Sequence, residues 1–191
     1  MKKLLLLVSI IFCGATSVAQ EDGDVSYGFR LGANYSTLSG DNDRWDDVNS
    51  RIGIHASFFG QVPLSDSFSL QPELGVSALG INENEVRLEN GDNVQLKTNW
   101  LQVSVLARLD LGRRLFVLLG PQAGVNVTER DNNDYYNYDF AAVGGLGYKM
   151  DENWAVDLRY GYGLSNIFDR EFADLEDANN RWFQIGVSYK L

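Results

Sequence analysis

The chain contains few of the residues that carry disulfide, metal or cofactor chemistry. Among its 191 residues there is one cysteine, Cys13, and one histidine, His55. No glycine-rich phosphate loop, Cys/His metal spacing or dinucleotide fingerprint is present. A lipoprotein leader would need a small residue before Cys13, where Phe12 stands. If Cys13 is removed with a leader, disulfides contribute nothing to stability, and the sequence predicts no cofactor and no metal site.

Basic residues and long apolar runs are also scarce. The 16 Lys and Arg are outnumbered by 26 Asp and Glu, which gives a formal charge of −10. We expect no nucleic-acid partner, because binding to phosphates requires clustered cations. No apolar run is long enough for a membrane helix. Membrane strands remain compatible with this composition, because only alternate residues of such a strand face lipid.

The first residues have the pattern of a secretory signal peptide. A basic start at Lys2 and Lys3 precedes an apolar stretch too short to span a bilayer, and a small-x-small cleavage site ends at Ala19. We therefore expect a signal peptide over residues 1–19. The remaining residues, 20–191, are enough for one domain.

Residues 183–191 alternate strictly between apolar and polar or small side chains. Because a strand has a side-chain period of two, five apolar groups share one face and a polar, glycine-containing row shares the other. We expect this segment to close a membrane barrel, with lipid on one side and a polar lumen on the other. Its spacing, Gln184-x-Gly186-x-x-Tyr189-x-Leu191, resembles the C-terminal assembly signal of bacterial outer-membrane proteins, which usually ends in Phe.

The same alternation occurs in seven earlier segments. They cover residues 26–36, 52–62, 68–78, 101–110, 115–127, 140–149 and 154–165. One such run is ambiguous, because half-buried strands of soluble sheets also alternate. Eight runs of about ten residues are typical of an outer-membrane β-barrel. Pro72 and Pro121 occupy strand positions that should face lipid. They predict bulges or local register changes, since proline donates no ladder hydrogen bond.

The connections between these segments fall into two alternating classes. Short turns cover residues 63–67, 111–114 and 151–153, and long polar loops cover residues 38–50, 82–93, 128–139 and 168–180. This predicts an all-β fold: an eight-stranded antiparallel up-and-down transmembrane β-barrel, with both termini periplasmic and four long outer loops. A soluble lipocalin-type barrel is the structural alternative. It would need an apolar interior, whereas here the face opposite the aliphatic residues carries Gly, Ser, Asn, Gln and charge.

Four ionisable residues occupy strand positions that should face the lumen near the middle of the barrel: Arg30, Glu73, Asp157 and Arg159. Eight strands enclose a lumen that side chains nearly fill, and ionised groups away from water need partners. We therefore expect a salt-bridge network centred on Glu73 with Arg30 and Arg159. One interpretation is a polar core that holds the barrel's shape and blocks conduction. The other is a gated or selective pore.

A second inward grouping suggests hydrolytic chemistry. Folding the second and third strands about their turn places Ser57 roughly opposite Glu73, with His55 diagonal to both. Outer-membrane lipases and lipid A deacylases use such Ser/His/carboxylate groupings. A lipid-cutting site should open toward lipid, which a cluster in the lumen does not. We therefore predict that the protein is not an enzyme, with a lipid-modifying hydrolase as one alternative.

The predicted outer loops are rich in carboxylates. They are Asp41, Asp43, Asp46, Asp47, Glu83, Glu85, Glu89, Asp92, Glu129, Asp131, Asp134, Asp169, Glu171, Asp174, Glu176 and Asp177. Clustered carboxylates could hold Ca²⁺ or Mg²⁺ shared with lipopolysaccharide phosphates. The alternative is solvated, mutually repelling loop tips. No loop has EF-hand spacing.

Residues 27–36, residues 70–75 and the C-terminal strand resemble the small outer-membrane β-barrel proteins of Bacteroidetes, grouped as porin-family or PorT-like proteins. The resemblance implies export to the outer membrane and, for some relatives, a role in type IX protein secretion. No catalytic residues carry over. We expect a monomeric anchor that presents acidic loops, with lipid, lipopolysaccharide and other envelope proteins as partners. A narrow channel for small polar solutes is the second hypothesis.

Overall fold

The computed structural model describes residues 24–39, 50–80, 86–87, 93–94, 97–128, 138–164 and 179–191. The predicted signal peptide and all the predicted loop carboxylates named above lie outside these residues or have side chains that are not described. The strands of the described part are β1 (Ser26–Ser39), β2 (Arg51–Pro63), β3 (Phe68–Gly80), β4 (Val86–Arg87), β5 (Asn93–Val94), β6 (Lys97–Leu111), β7 (Leu115–Asn126), β8 (Tyr138–Lys149), β9 (Trp154–Gly163) and β10 (Asn179–Lys190). These residues include no helix of the length and apolarity that a membrane crossing requires.

Eight of these strands form a closed barrel. Following the pairing from β1 through β2, β3, β6, β7, β8 and β9 leads to β10, which pairs again with β1. Every pairing is antiparallel, and the closing one runs without interruption from Gly28↔Lys190 to Ser39↔Asn179. The eight-stranded, all-antiparallel barrel predicted from the sequence is confirmed. Closure matters physically because it leaves no strand edge with unpaired backbone groups.

The outer surface of the barrel is apolar. Ile52 and Ile54 are 79% and 77% exposed, and large aliphatic or aromatic side chains point outward from all eight barrel strands. Arg30, Asp157 and Arg159 are buried in the interior. This inside-out distribution matches a membrane barrel, and it is opposite to that of a lipocalin-type barrel.

The two prolines within strands do not change the register. The pairing of β2 with β3 keeps one register on both sides of Pro72, and the pairing of β6 with β7 keeps one register on both sides of Pro121. The predicted register change is therefore wrong. A proline lacks only its own N–H, so the ladder is interrupted locally on one side of the strand. On the other side both prolines stay in the ladder, opposite Val105 and Ala142.

The two ends of the barrel differ in their connections. At one end, called the turn end, residues 64–67, 112–114 and 150–153 join neighbouring strands. At the other, called the loop end, the connections cover residues 40–50, 81–96, 127–137 and 164–178. Several strands extend further toward the loop end than the alternation predicted, and the short β4–β5 pair begins in the predicted second loop and ends one residue beyond it. Alternation fails to show these extensions because apolar side chains such as Leu79 and Trp182 lie on the inner face there.

Large apolar side chains are packed into the interior near both ends. Trp100 and Trp182 lie toward the loop end, and Phe59 and Phe116 lie toward the turn end; each is at most 4% exposed. Some of this packing requires glycine on a neighbouring strand, since a Cβ at Gly161 would overlap the Trp182 indole ring. Charged and polar side chains occupy the space between these apolar layers.

Candidate functional site

The four ionisable residues predicted in the lumen lie in one cluster, called here the lumen cluster. The Arg30 guanidinium donates through Nε and Nη2 to the Asp157 carboxylate, at 2.6–3.0 Å. The Arg159 guanidinium donates through Nη1 and Nη2 to the two Glu73 oxygens, at 2.7 and 3.0 Å. Arg159 Nε also donates to Asp157 Oδ1, at 2.8 Å. Asp157 therefore joins the two arginines.

The predicted centre of this cluster was wrong. Glu73 binds Arg159 but not Arg30, and Asp157 is the shared carboxylate. The reason is the path of the Arg30 side chain, which crosses Gly186 on β10 to reach the strand beyond. Gly186 is paired directly with Asp157, and a Cβ at Gly186 would lie 2.6 Å from Arg30 Cζ. Glycine at this position leaves the space that the guanidinium occupies.

The cluster balances its charges internally. Its two arginines and two carboxylates sum to zero, and all four residues are buried. Further polar partners satisfy other donors and acceptors: Arg30 Nη1 donates to Gln184 Oε1 at 3.2 Å, and Gln71 Nε2 donates to Glu73 Oε1 at 2.7 Å. Forked arginine–carboxylate contacts of this kind are strong and geometrically specific, so the cluster fixes the positions of several strands relative to one another.

His55 is held in one tautomer by its two neighbours. Its Nε2 contacts Arg30 Nη1, and its Nδ1 lies 2.9 Å from Asn34 Oδ1. A guanidinium only donates, so Nε2 must accept and Nδ1 must carry the proton that Asn34 Oδ1 accepts. Asn34 in turn donates to Ser77 Oγ at 3.0 Å. Both ring nitrogens of His55 are therefore engaged in holding the barrel interior.

The hypothetical hydrolase grouping is not assembled. Ser57 pairs with Gly75 rather than with Glu73, and its Oγ has no hydrogen-bond partner among the described residues. The predicted register differs from the observed one by two residues because the β2–β3 turn centres on Asp66, one position later than assumed. No hydrogen bond joins His55 to Ser57 in the described structure, so the serine lacks the adjacent base that activates a nucleophile.

A second charged group lies toward the turn end. Asp110 accepts from Lys149 Nζ at 2.7 Å and from Arg108 Nε at 3.3 Å. The Arg108 guanidinium lies 3.6 Å from the centre of the Phe116 ring and donates to Gln71 Oε1 at 3.3 Å. Gln71 thus connects this group to the lumen cluster. Neither Arg108 nor Gln71 was predicted to take part in such a group, because an inward-facing strand position was the only signal that the sequence offered for them.

Two cavities lie along this polar interior. Beside the lumen cluster is a space of about 20 Å³, whose lining includes Ser57, Ser104 and Gln122; this is room for about one water molecule. Toward the turn end is a cavity of about 520 Å³. Among the described residues, no group of His, Cys, Asp and Glu side chains is arranged to hold a metal ion.

A closed antiparallel barrel with an apolar outer surface and a charged interior defines an integral outer-membrane β-barrel protein. The family described as "Outer membrane protein beta-barrel domain" matches residues 18–169, and the chain belongs to this family. Its place is therefore the outer membrane.

Solved structures of other outer-membrane proteins share this fold. The attachment invasion locus protein Ail of Yersinia pestis, in complex with the heparin analogue sucrose octasulfate, is 15% identical, with 88% of this chain and 100% of that chain covered and a TM-score of 0.51. Neisserial surface protein A is 14% identical at the same coverage, with a TM-score of 0.59. These low identities show a common fold only. No curated protein sequence matches this chain.

Proposed function

We propose that this protein is a non-conducting outer-membrane anchor with a structural or interaction role. The observation that supports this proposal is the blocked middle of the lumen. Charged pairs occupy the middle of the barrel, and the buried side chains of Trp100 and Trp182 lie inside it toward the loop end. A buried, charge-balanced network of this kind resists opening, because separating its members would leave uncompensated charges.

In this proposal the turn end faces the periplasm and the loop end faces outward. Outer-membrane barrels have short periplasmic turns and longer outer loops, and the connections of this barrel divide in the same way. The loop end would then be the surface that meets lipopolysaccharide or other envelope proteins, with the barrel acting as a monomer. The structure of Ail with a heparin analogue supports an interaction role for a barrel of this fold.

A link to protein secretion is part of the proposal, on the resemblance to the PorT-like proteins of Bacteroidetes. Its test is deletion of the gene, followed by comparison of secreted and surface proteins in the two strains. Loss of specific surface proteins from the deletion strain, restored by the intact gene, is the expected result. An unchanged set of proteins would remove this part of the proposal.

Conductance in planar bilayers tests the anchor hypothesis against the channel hypothesis. We expect the purified barrel to give no discrete openings, since the described lumen offers no continuous wide path. Discrete openings that disappear when the protein is omitted would contradict the proposal. Mass spectrometry of lipid A, with and without the protein, tests the hydrolase alternative. The lipid should be unchanged by the intact protein, and equally by the Ser57→Ala variant.

A further inference from the structure

The turn-end cavity concentrates positive charge in an acidic protein. It lies between the β6–β7 turn, the β8–β9 turn and the adjacent ends of β2 and β10. Five of the chain's 16 Lys and Arg line this one space of about 520 Å³. They are Arg108, Arg113, Arg114, Lys149 and Lys190. These cations come from three separate segments of the chain, and only the closed barrel brings them to one space.

Little negative charge compensates these cations. Asp110 is shared between Arg108 and Lys149. Arg114 Nη1 donates to the neutral Tyr148 hydroxyl at 2.6 Å. Within the described residues, no ion pair joins Arg113, Arg114 or Lys190 to a carboxylate.

Two carboxylates, those of Asp151 and Glu152, also line the cavity. Asp151 Oδ1 accepts from the backbone N–H groups of Asn153 and Trp154, at 2.8 and 2.6 Å, so this oxygen is held against its own turn. Glu152 is exposed. Arg114 is left out of the balance, because its guanidinium binds the hydroxyl of the outward-facing Tyr148. The other four cations outnumber the three carboxylates of Asp151, Glu152 and Asp110, so the lining carries an excess of positive charge.

This excess favours an anionic ligand. A phosphate ester has between one and two near neutral pH, and the guanidinium groups can bind its oxygens through paired N–H donors. The rest of the lining includes Phe59, Met150 and Trp154, which provide apolar surface for an organic body. The volume is within the range of about 300–1,000 Å³ typical of small-molecule sites.

We propose that the turn-end cavity is a binding site for an organic phosphate, with Arg113, Lys149 and Lys190 contacting the phosphate group. Two sources share this chemistry: a soluble phosphorylated compound and the headgroup of an anionic phospholipid from the surrounding leaflet. The site recognises the phosphate group in both cases. Competition between an anionic lipid and a soluble phosphate ester distinguishes the two sources.

The first measurement is calorimetric titration of the folded barrel, in an uncharged detergent, with phenyl phosphate as the probe and phenol as the uncharged control. We expect phenyl phosphate to bind, phenol not to bind, and affinity to fall as salt is added. Lys190→Gln and Arg113→Gln should each weaken binding by about fivefold, as expected for loss of one charge-assisted contact.

Arg181→Gln is the matched control, because Arg181 lies on the same strand as Lys190 but at the loop end. Its affinity for phenyl phosphate should equal that of the unaltered protein. Heat-modifiable migration in gels confirms that each variant is folded. Absence of phenyl phosphate binding, or equal weakening by Arg181→Gln and Lys190→Gln, would overturn the proposal.

The second measurement repeats the titration in nanodiscs of phosphatidylcholine, with and without phosphatidic acid. Loss of phenyl phosphate binding only when phosphatidic acid is present identifies the lipid headgroup as the occupant. Equal binding in both nanodiscs identifies a soluble phosphorylated compound. Either result supports a phosphate site, provided that Lys190→Gln weakens the binding that is observed.

Discussion

Removal of the shared carboxylate should destabilise the barrel strongly. In Asp157→Asn, Arg30 and Arg159 keep their charges, but Glu73 is the only carboxylate left in the lumen cluster. One buried positive charge is then uncompensated. Breaking a buried ion pair by removing one partner costs about 3–5 kcal/mol, and we expect the free energy of unfolding to fall by that amount.

The measurement is equilibrium unfolding in urea, with the barrel refolded in detergent micelles and followed by tryptophan fluorescence and heat-modifiable migration. Asp110→Asn is the matched control, since Asp110 also contacts two cations but its side chain is 19% exposed. Exposed pairs contribute about 0–1 kcal/mol, so the partly exposed Asp110 should contribute less to stability than the buried Asp157. If Asp157→Asn costs no more than Asp110→Asn, the claim that burial makes this cluster important is refuted.

A double variant separates loss of charge balance from loss of packing. Arg30→Gln combined with Asp157→Asn removes one charge of each sign and leaves the Arg159–Glu73 pair balanced. We expect the double variant to be more stable than the sum of the two single costs predicts, by about 0.5–3 kcal/mol. Simple additivity would show that Arg30 and Asp157 do not interact in the folded protein.

Two further predictions concern the packing of the barrel, and both use the same unfolding assay. Gly186→Ala should cost about 1–3 kcal/mol, since the new methyl group displaces Arg30, whereas Gly144→Ala should be nearly neutral because its nearest neighbour lies 3.8 Å away. Leu158 lies on the outer face at the height of the lumen cluster, and Leu158→Lys should lower the free energy of unfolding by about 2–4 kcal/mol. Leu115 lies on the outer face at the turn end, and Leu115→Lys should lower it by about 0–1 kcal/mol. Equal costs for the two glycine variants would contradict the contact between Gly186 and Arg30. Equal costs for the two lysine variants would contradict the placement of Leu158 deeper in the membrane than Leu115.

Much of the barrel could be predicted from the side-chain pattern alone. The alternation in residues 183–191 assigned Ile185 to the outer face and Gln184 to the interior, and the structure has them 63% and 6% exposed. The same alternation assigned Arg30, Asp157 and Arg159 to the interior, where all three are buried. Alternation works here because it follows from the two-residue period of a strand, which is a local property of the backbone.

The contacts within the interior could not be predicted in the same way. Parity gives the face on which a side chain lies, but not its height or its partner across the barrel. The turn before β3 centres one residue later than assumed, and this moved Glu73 two positions away from Ser57. The turn-end cavity could not be predicted either, because it combines turns and strand ends that are far apart in the chain.

The sequence by itself determined that this chain makes eight amphipathic strands with lipid-facing and lumen-facing sides. Only the tertiary structure decided that Asp157, rather than Glu73, joins the two buried arginines. The physical reason is that strand period is set residue by residue, whereas closure fixes the register of all eight strands together. Gly186 shows the difference. The sequence identifies it only as a small residue in a strand, whereas in the closed barrel its missing side chain leaves the space through which Arg30 reaches Asp157.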